Sequence, residues 1–331
     1  MSPKVSILVP IYNTSRFIEK CAISLFEQTF QDIEYIFIND CTPDNSIEIL
    51  KNVIDLYPNR KKYVKILEHQ ENKGLASSRN TGIANAKGEY ILHVDSDDYI
   101  DLYAVELLYN KAIQDNAYIV MCDALWEWNK TSKLVIQNIG NSNQDCLEMI
   151  LSGKSPPCVW NKLFKRELYI NNRIKALDGV NFGEDYLVTP QLIYFSNKIS
   201  KVDKPLYHYI QFNTNAYTKN ISKKSVYDII SVLNELTRFF KEKEDYFLYR
   251  EVLLRAKLRK KIEMLMNVSL SDLRELFNIF PEVDDYRDVS FLTFREKISY
   301  FFIKNKWVDG FILYRRLYKF LFYLYKVCKG R

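Results

Sequence analysis

Buried-type apolar runs and amphipathic stretches alternate along the first part of the chain. Val5–Tyr12 is a continuous apolar run, as expected of a strand covered on both faces of a parallel sheet. A helix is predicted from about Ser15 to Thr29, because Ile18, Cys21, Ala22, Leu25 and Phe26 repeat at i, i+3, i+4, i+7 and i+8. Ile33–Ile38 reads as a second buried strand, and Thr42-Pro43-Asp44 as a capped helix opening with Pro in the first turn. Three more pairs of elements follow the same rule. Val64–Leu67 precedes a helix over Gly74–Ala86, Tyr90–Val94 precedes a helix over Asp101–Gln114, and Tyr118–Leu125 is a fifth strand. Such alternation predicts an α/β fold with a doubly wound, mostly parallel sheet.

The pattern changes near residue 215. From Ser222 onward helical periodicity prevails, so we expect one domain over residues 1–215 and a helical C-terminal region over 216–331. With 47% hydrophobic and 27% charged residues in 331, the chain is expected to fold around a true core. The six cysteines form no CxxC pair, which argues against a zinc or redox motif. With no basic leader, they suit a cytoplasmic protein.

Charge refines this picture. The net charge is +6, yet the stretch from Arg295 to the C-terminus holds ten Lys/Arg against two Asp/Glu, a net of +8 that leaves about −2 for the rest. Basic character therefore belongs to the tail. This argues against nucleic acid as the partner of the first domain, and an anionic surface is expected to meet the tail.

Chemistry is expected at the carboxyl ends of the strands, where open parallel sheets bind ligands. The first strand ends in Pro10-Ile11-Tyr12-Asn13, the second in Asn39-Asp40 and the fourth in Asp95-Ser96-Asp97-Asp98. Carboxylates gathered at neighbouring strand ends repel one another unless a cation lies between them, so a divalent metal is expected. For Asp98 or Asp101 alone, a turn or helix-cap role is the simpler reading. Arg79 sits on the apolar stripe of its helix between Leu75 and Ile83, where a guanidinium needs an anionic partner. That partner is either a ligand diphosphate or a bridge to Asp40 or Asp95.

Four pieces in this order resemble the family-2 glycosyltransferases of the GT-A fold over about residues 3–215: Val5-Ser-Ile-Leu-Val-Pro-Ile-Tyr-Asn13, Asn39-Asp40, Asn72-Lys-Gly-Leu-Ala-Ser-Ser-Arg-Asn-Thr-Gly-Ile83 and Asp95-Ser-Asp-Asp98. The resemblance implies an inverting transferase that moves a sugar from a UDP-sugar to a glycan hydroxyl in surface-polysaccharide synthesis. Pro10 and Tyr12 would line the base and ribose pocket and Asp40 would accept the uracil imide N–H. Arg79 would face the nucleotide, with Asp95 and Ser96 beside the donor. Asp97 would ligate Mn²⁺ or Mg²⁺. The segment Asn181-Phe-Gly-Glu184-Asp185 resembles the family's base-bearing pair, with Asp185 as general base and Glu184 as its neighbour; without the resemblance, both would read as a helix start that favours acidic residues. Trp160-Asn161-Lys162-Leu163-Phe164 resembles an acceptor-side stretch, so Trp160 is either a sugar platform or a core residue.

One place departs from the family. Where many members carry an Arg and then a Ser after the segment Pro205–Tyr209, this chain has Ile210 and Asn215, and His208 is a candidate substitute as metal ligand or phosphate donor. Rival classes make different demands. A sugar nucleotidyltransferase would need a Gly-rich basic loop after the first strand, where this chain has Tyr12-Asn13-Thr14-Ser15-Arg16-Phe17, and a non-catalytic sugar-nucleotide scaffold would have lost Asp97 or Asp185.

The tail reads FILYRRLYKFLFYLYKV from Phe311. At 100° per residue Arg315, Arg316, Lys319, Lys326 and Lys329 share an arc opposite Leu313, Tyr314, Leu317, Phe320, Leu321, Leu324 and Tyr325. The run is interrupted by lysine and too polar to span a bilayer. It suits a helix lying in a membrane interface, with Trp307 at the boundary; the resemblance to the family implies that this is the cytoplasmic face of an inner membrane, beside a lipid-linked acceptor. Packing on the catalytic domain or on a second subunit is the alternative.

Overall fold

The computed structural model describes residues 2–213 and 221–328, with side chains through Leu324. The chain divides into two compact units, residues 1–219 and 220–331. In the first, the elements run β1 (Val5–Ile11), α1 (Ile18–Phe26), β2 (Ile33–Asn39), α2 (Ser46–Leu56), α3 (Pro58–Lys61), β3 (Val64–Glu68), α4 (Leu75–Asn85) and β4 (Tyr90–His93). They continue as β5 (Tyr99–Ile100), α5 (Ala104–Asp115), β6 (Ile119–Trp128), β7 (Thr131–Val135), α6 (Asn143–Leu151), β8 (Lys162–Lys165), α7 (Arg166–Asn171), α8 (Glu184–Tyr194) and β9 (Ile199–Ile210).

The strands form one sheet in the order β3-β2-β1-β4-β8-β6-β9-β5, with β7 on β6. From β3 to β4 every pairing is parallel, and β6 with β9 is parallel too. β8 enters antiparallel between β4 and β6, and β5 and β7 also pair antiparallel. Parallel pairing carries most of the registered residues, so the doubly wound, mostly parallel α/β architecture holds, with a mixed half beyond β4. All seven residues of β1 are buried, as its apolar run requires of a central strand. The α1 stripe Ile18, Cys21, Ala22, Leu25 and Phe26 is buried as the periodicity predicts, and it packs in one core with Val5, Ile7, Val9, Tyr35 and Phe37.

Three helices differ in their bounds from expectation, α1 being shorter at both ends, Ile18–Phe26 against about Ser15–Thr29. The helix expected to open at Thr42-Pro43-Asp44 begins at Ser46. Asp44 is used earlier, accepting from Thr42 Oγ1 at 2.7 Å, Ser46 Oγ at 2.6 Å and the backbone of Ser15 at 2.8 Å, so its side chain ties two loops together. The helix expected from Asp101 begins at Ala104, because Tyr99 and Ile100 form β5 against His208 and Tyr207.

The second unit is helical: α9 (Lys223–Lys241), α10 (Tyr246–Asn267), α11 (Leu270–Leu276), α12 (Phe294–Lys304) and α13 (Val308–Cys328). Reciprocal capping boxes start α9 at Ser222 with Ser225 and α12 at Thr293 with Glu296. The tail helix corrects the expected basic arc. Arg315 is buried and donates to the backbone carbonyls of Leu265, at 3.0 Å, and Val268, where α10 ends and unpaired carbonyls need donors. Phe311 is buried on the same side, whereas Leu313 and Leu317 remain 70% and 55% exposed and Phe320, Leu321 and Leu324 are exposed with them. The side chains of Tyr325 and Lys326, and all of Lys329, lie outside the described residues. Among the described residues no helix is long and apolar enough to cross a membrane.

Candidate active site

A cleft of about 390 Å³ opens at the carboxyl ends of β1, β2 and β4. Pro10, Tyr12, Asp40, Asp95, Ser96 and Asp97 all line it, so the strand-end expectation brings six candidate residues together. Tyr12 is 46% exposed and Asp40 is buried. Asp40 accepts from His69 Nδ1 at 2.7 Å and from the backbone N–H groups of Lys73 at 2.8 Å and Gly74 at 2.7 Å. Gly74 has φ +85°, and a Cβ there would lie 2.2 Å from the Asn181 side chain. Glycine is required at this turn on both counts.

Asp97 accepts from Asn213 Nδ2 at 2.7 Å. Burial, and then the charge of Asp95, push its carboxyl up to about 6. Asp98 faces away from this role. It is buried, and it accepts from the Tyr207 hydroxyl and the Ile210 N–H, each at 2.8 Å. Ile210 thus helps tie β9 to the acidic segment, while Asn215 lies outside the described residues.

Arg79 is not among the residues that line the cleft. From α4 it donates to Asp95 at 2.9 Å, to Glu184 at 2.7 Å and to Asp185. Of the expected partners the structure selects Asp95, and it adds two carboxylates from the start of α8. Glu184 and Asp185 are delivered there by Gly183, whose φ of +85° precedes the helix. One buried cation serves three carboxylates, which favours protonation of one of them. Burial, then the neighbouring Asp185, push Glu184 up to about 8. Burial raises Asp185 as well, while Arg79 pulls it back. Arg79, Glu184 and Asp185 line a small hollow apart from the cleft; His93 borders that hollow too, bonded to the Tyr169 hydroxyl at 3.0 Å, and burial holds it well below its ordinary value.

Two expected participants are elsewhere. His208 does not reach the cleft. Its Nδ1 lies 2.8 Å from Glu127 and its ring stacks on Tyr99 at 4.2 Å. Side chains alternate along a strand, so on β9 Tyr209 lines the cleft and His208 points to the other face. Trp160 is buried in the core, stacked on Tyr207 at 4.3 Å and Tyr209 at 5.1 Å, so it offers no open platform to an acceptor.

Several contributors were not singled out as site residues, although Asn72, Asn181 and Tyr209 lie within quoted stretches of the sequence. Asn72, Asn181, Tyr209 and Asn213 also line the cleft. Lys162, fully buried, gathers the oxygens of Cys158 at 2.6 Å and Asn161 at 2.7 Å, and orders the loop whose Val159 N–H donates to Asp185 at 3.2 Å. A lysine inside a strand pattern gives no hint of that task.

Among the described residues no three His, Cys, Asp or Glu side chains gather as a metal cage. Asp95 and Asp97 still fit a hard cation. They are oxygen donors lining one cleft, and the proximity of their two charges, which adds to burial in raising Asp97, is a repulsion that a cation would relieve. Mg²⁺-type ions commonly take one or two carboxylates and complete their shell from phosphate and water.

Residues 6–170 match the sequence model of Glycosyl transferase family 2. EpsH of Bacillus subtilis (strain 168), whose own name assigns it provisionally as a glycosyltransferase, is 32% identical over 285 residues, covering 83% of this chain and 80% of that one. The uncharacterized glycosyltransferase YibD of Escherichia coli (strain K12) is 30% identical over 257 residues, covering 72% and 73%. In three dimensions, residues 1–349 of S. aureus TarS in complex with UDP-GlcNAc align with a TM-score of 0.71 at 19% identity, covering 96% of this chain and 91% of that one.

Proposed function

This chain belongs to glycosyl transferase family 2, and from that premise we propose that it moves a hexosyl or N-acetylhexosaminyl group from a UDP-sugar to a glycan hydroxyl with inversion, in surface-polysaccharide synthesis. The observation that carries this reading is the cleft at the carboxyl ends of β1, β2 and β4, where Pro10, Tyr12, Asp40, Asp95, Ser96 and Asp97 converge. The similarly folded TarS, solved with UDP-GlcNAc, supports the choice of nucleotide.

The roles follow from the chemistry of each group. Tyr12 and Pro10 supply apolar walls for a nucleoside. Asp40 has three donors on roughly four acceptor sites, which leaves capacity for the uracil imide N–H. Asp97, with Asp95 beside it, would hold Mn²⁺ or Mg²⁺, which when bound would neutralise the diphosphate and the charge that develops on leaving UDP. Inversion takes one displacement. The acceptor hydroxyl attacks the anomeric carbon as the bond to UDP breaks, and Asp185 takes its proton. Arg79 keeps Asp185 ionised and oriented, while Glu184 beside it carries the proton that three carboxylates around one guanidinium favour.

For the tail we infer attachment to an anionic membrane surface at the cytoplasmic face, beside a lipid-linked acceptor. Leu313, Leu317, Phe320, Leu321 and Leu324 are exposed on α13, with Trp307 nearby and Arg316 and Lys319 exposed at its flank. Flotation on anionic vesicles at low salt should carry the intact protein and release a Leu317→Glu/Leu321→Glu variant. Equal flotation of both, or a dimer in solution that the variant dissociates, would assign this face elsewhere. The activity itself is tested by UDP release from a panel of UDP-sugars with and without Mn²⁺. Release from none of them, with or without added glycans, would contradict the reading.

A further inference from the structure

The sheet face that brings Tyr209 to the cleft continues beyond it. In the β6–β9 pairing Ala124 lies beside Tyr207 and Trp126 beside Tyr209. In the β6–β7 pairing Trp126 lies beside Lys133 and Trp128 beside Thr131. Paired residues share a face, and alternate residues of one strand share it too. Tyr209, Trp126, Trp128, Thr131 and Lys133 therefore stand on one face, while Leu125, Glu127 and His208 stand on the other.

The rings on this face are continuous. Trp160 stacks on Tyr209 at 5.1 Å, Tyr209 meets Trp126 at 5.7 Å in a T-shape, and Trp126 meets Trp128 at 6.5 Å. The series runs from the buried Trp160 through the half-buried Trp126 to Trp128, which is 39% exposed beside the exposed Thr131 and Lys133. Core packing accounts for the inner end and leaves the outer end without a purpose. The indole N–H of Trp126 is sheltered from solvent and has no hydrogen-bond partner. A file of aromatic faces flanked by hydroxyl and ammonium donors matches a pyranose, which offers an apolar C–H face and a rim of hydroxyls.

We propose that Tyr209, Trp126 and Trp128 form the platform on which sugar rings of the glycan acceptor stack, with Thr131 and Lys133 at its hydroxyl rim. The proposal rests on the transferase reading, since the platform starts at the cleft where that reading puts the donor. It directs the acceptor along the β6–β7 hairpin and makes the acceptor a chain of more than one sugar.

The protein has four tryptophans, so 5-fluorotryptophan labelling of the full chain gives four ¹⁹F resonances that single Trp→Phe variants assign. With UDP and Mn²⁺ present, chitotriose, cellotriose and maltotriose are titrated in turn. At least one should shift the Trp126 and Trp128 resonances and leave Trp307 unmoved. Trp128→Ala should weaken that binding about tenfold or more, Trp128→Phe should restore part of it, and thermal stabilisation by UDP should be the same in all three proteins. If UDP stabilises the protein but no trisaccharide moves these resonances, or Trp128→Ala binds as tightly as the parent, the platform is wrong. If UDP itself fails to bind, the donor reading falls, and a trisaccharide response at Trp126 and Trp128 would still identify a glycan surface.

Discussion

The two halves of the sheet differ in how they are built and in what they hold. From β3 to β4 the strands are parallel, and their carboxyl ends carry Pro10, Tyr12, Asp40, Asp95 and Asp97 into one cleft. From β8 to β5 the pairing is mixed, and what is assembled there is a buried loop held by Lys162, the strand face of Tyr209 and the hairpin of Trp126 and Trp128. The parallel half aims side chains by topology, since every strand end emerges on one edge. The mixed half aims them by local contacts. On our account the first half binds the donor nucleotide, the second receives the acceptor, and the Arg79 cluster joins them through Asp95, Glu184 and Asp185.

That division can be broken most severely at Asp97. Replacing it with Ala should abolish Mn²⁺-dependent UDP binding in calorimetry, because a hard oxygen ligand is removed. Retained Mn²⁺-dependent affinity would put the metal elsewhere. Arg79→Met comes next. It leaves the buried Glu184 and the part-buried Asp95 and Asp185 without their cation, and breaking a buried ion cluster costs about 3–5 kcal/mol. Urea denaturation should show a loss of that order, and a loss under about 1 kcal/mol, the scale of an exposed ion pair, would mean that water solvates the cluster.

Asp185→Asn separates the halves. Transfer should fall by roughly 10²-fold or more, the scale of general-base loss, with UDP affinity nearly unchanged. Near-wild-type turnover would remove Asp185 from the base role. The smallest effect concerns pH. Glu184 is raised by burial from its unfolded value near 4.5 to about 8, so the native state holds an extra proton between those values. The stability this contributes is fully present below the lower value and is lost as pH rises through the upper one. Thermal melts should therefore fall by a few degrees between about pH 5 and 8 and level off above that, and Glu184→Gln should flatten the decline. An unchanged slope in the variant would assign the proton to another group.

The contrast also explains what could be read from the sequence. Val5–Tyr12 and Ile33–Ile38 announce buried parallel strands because both faces are covered, and the acidic residues just after them fall at a predictable edge. The Arg79 anomaly was legible as an apolar-face guanidinium, but its choice among Asp40, Asp95 and a ligand depends on how α8 packs. β5, β7 and β8 are two to five residues long, too short for periodicity to register. The side on which His208 or Tyr209 falls depends on strand register, and a single residue of slip exchanges them. Trp160 illustrates the same limit, since a tryptophan near a site reads alike whether its faces are open or stacked on Tyr207 and Tyr209. Arg315 lay on the expected basic arc and is instead consumed by the end of α10.

The central claim is a metal-dependent UDP site in the parallel half, and thermal denaturation with nucleotides tests it without any knowledge of the acceptor. In Mn²⁺, UDP should stabilise the protein more than CDP, since Asp40 can accept an imide N–H that cytosine lacks. The stabilisation should vanish in EDTA and in Asp97→Ala, and persist in Asp185→Asn. Equal stabilisation by UDP and CDP, or a UDP effect indifferent to both EDTA and Asp97→Ala, would contradict it.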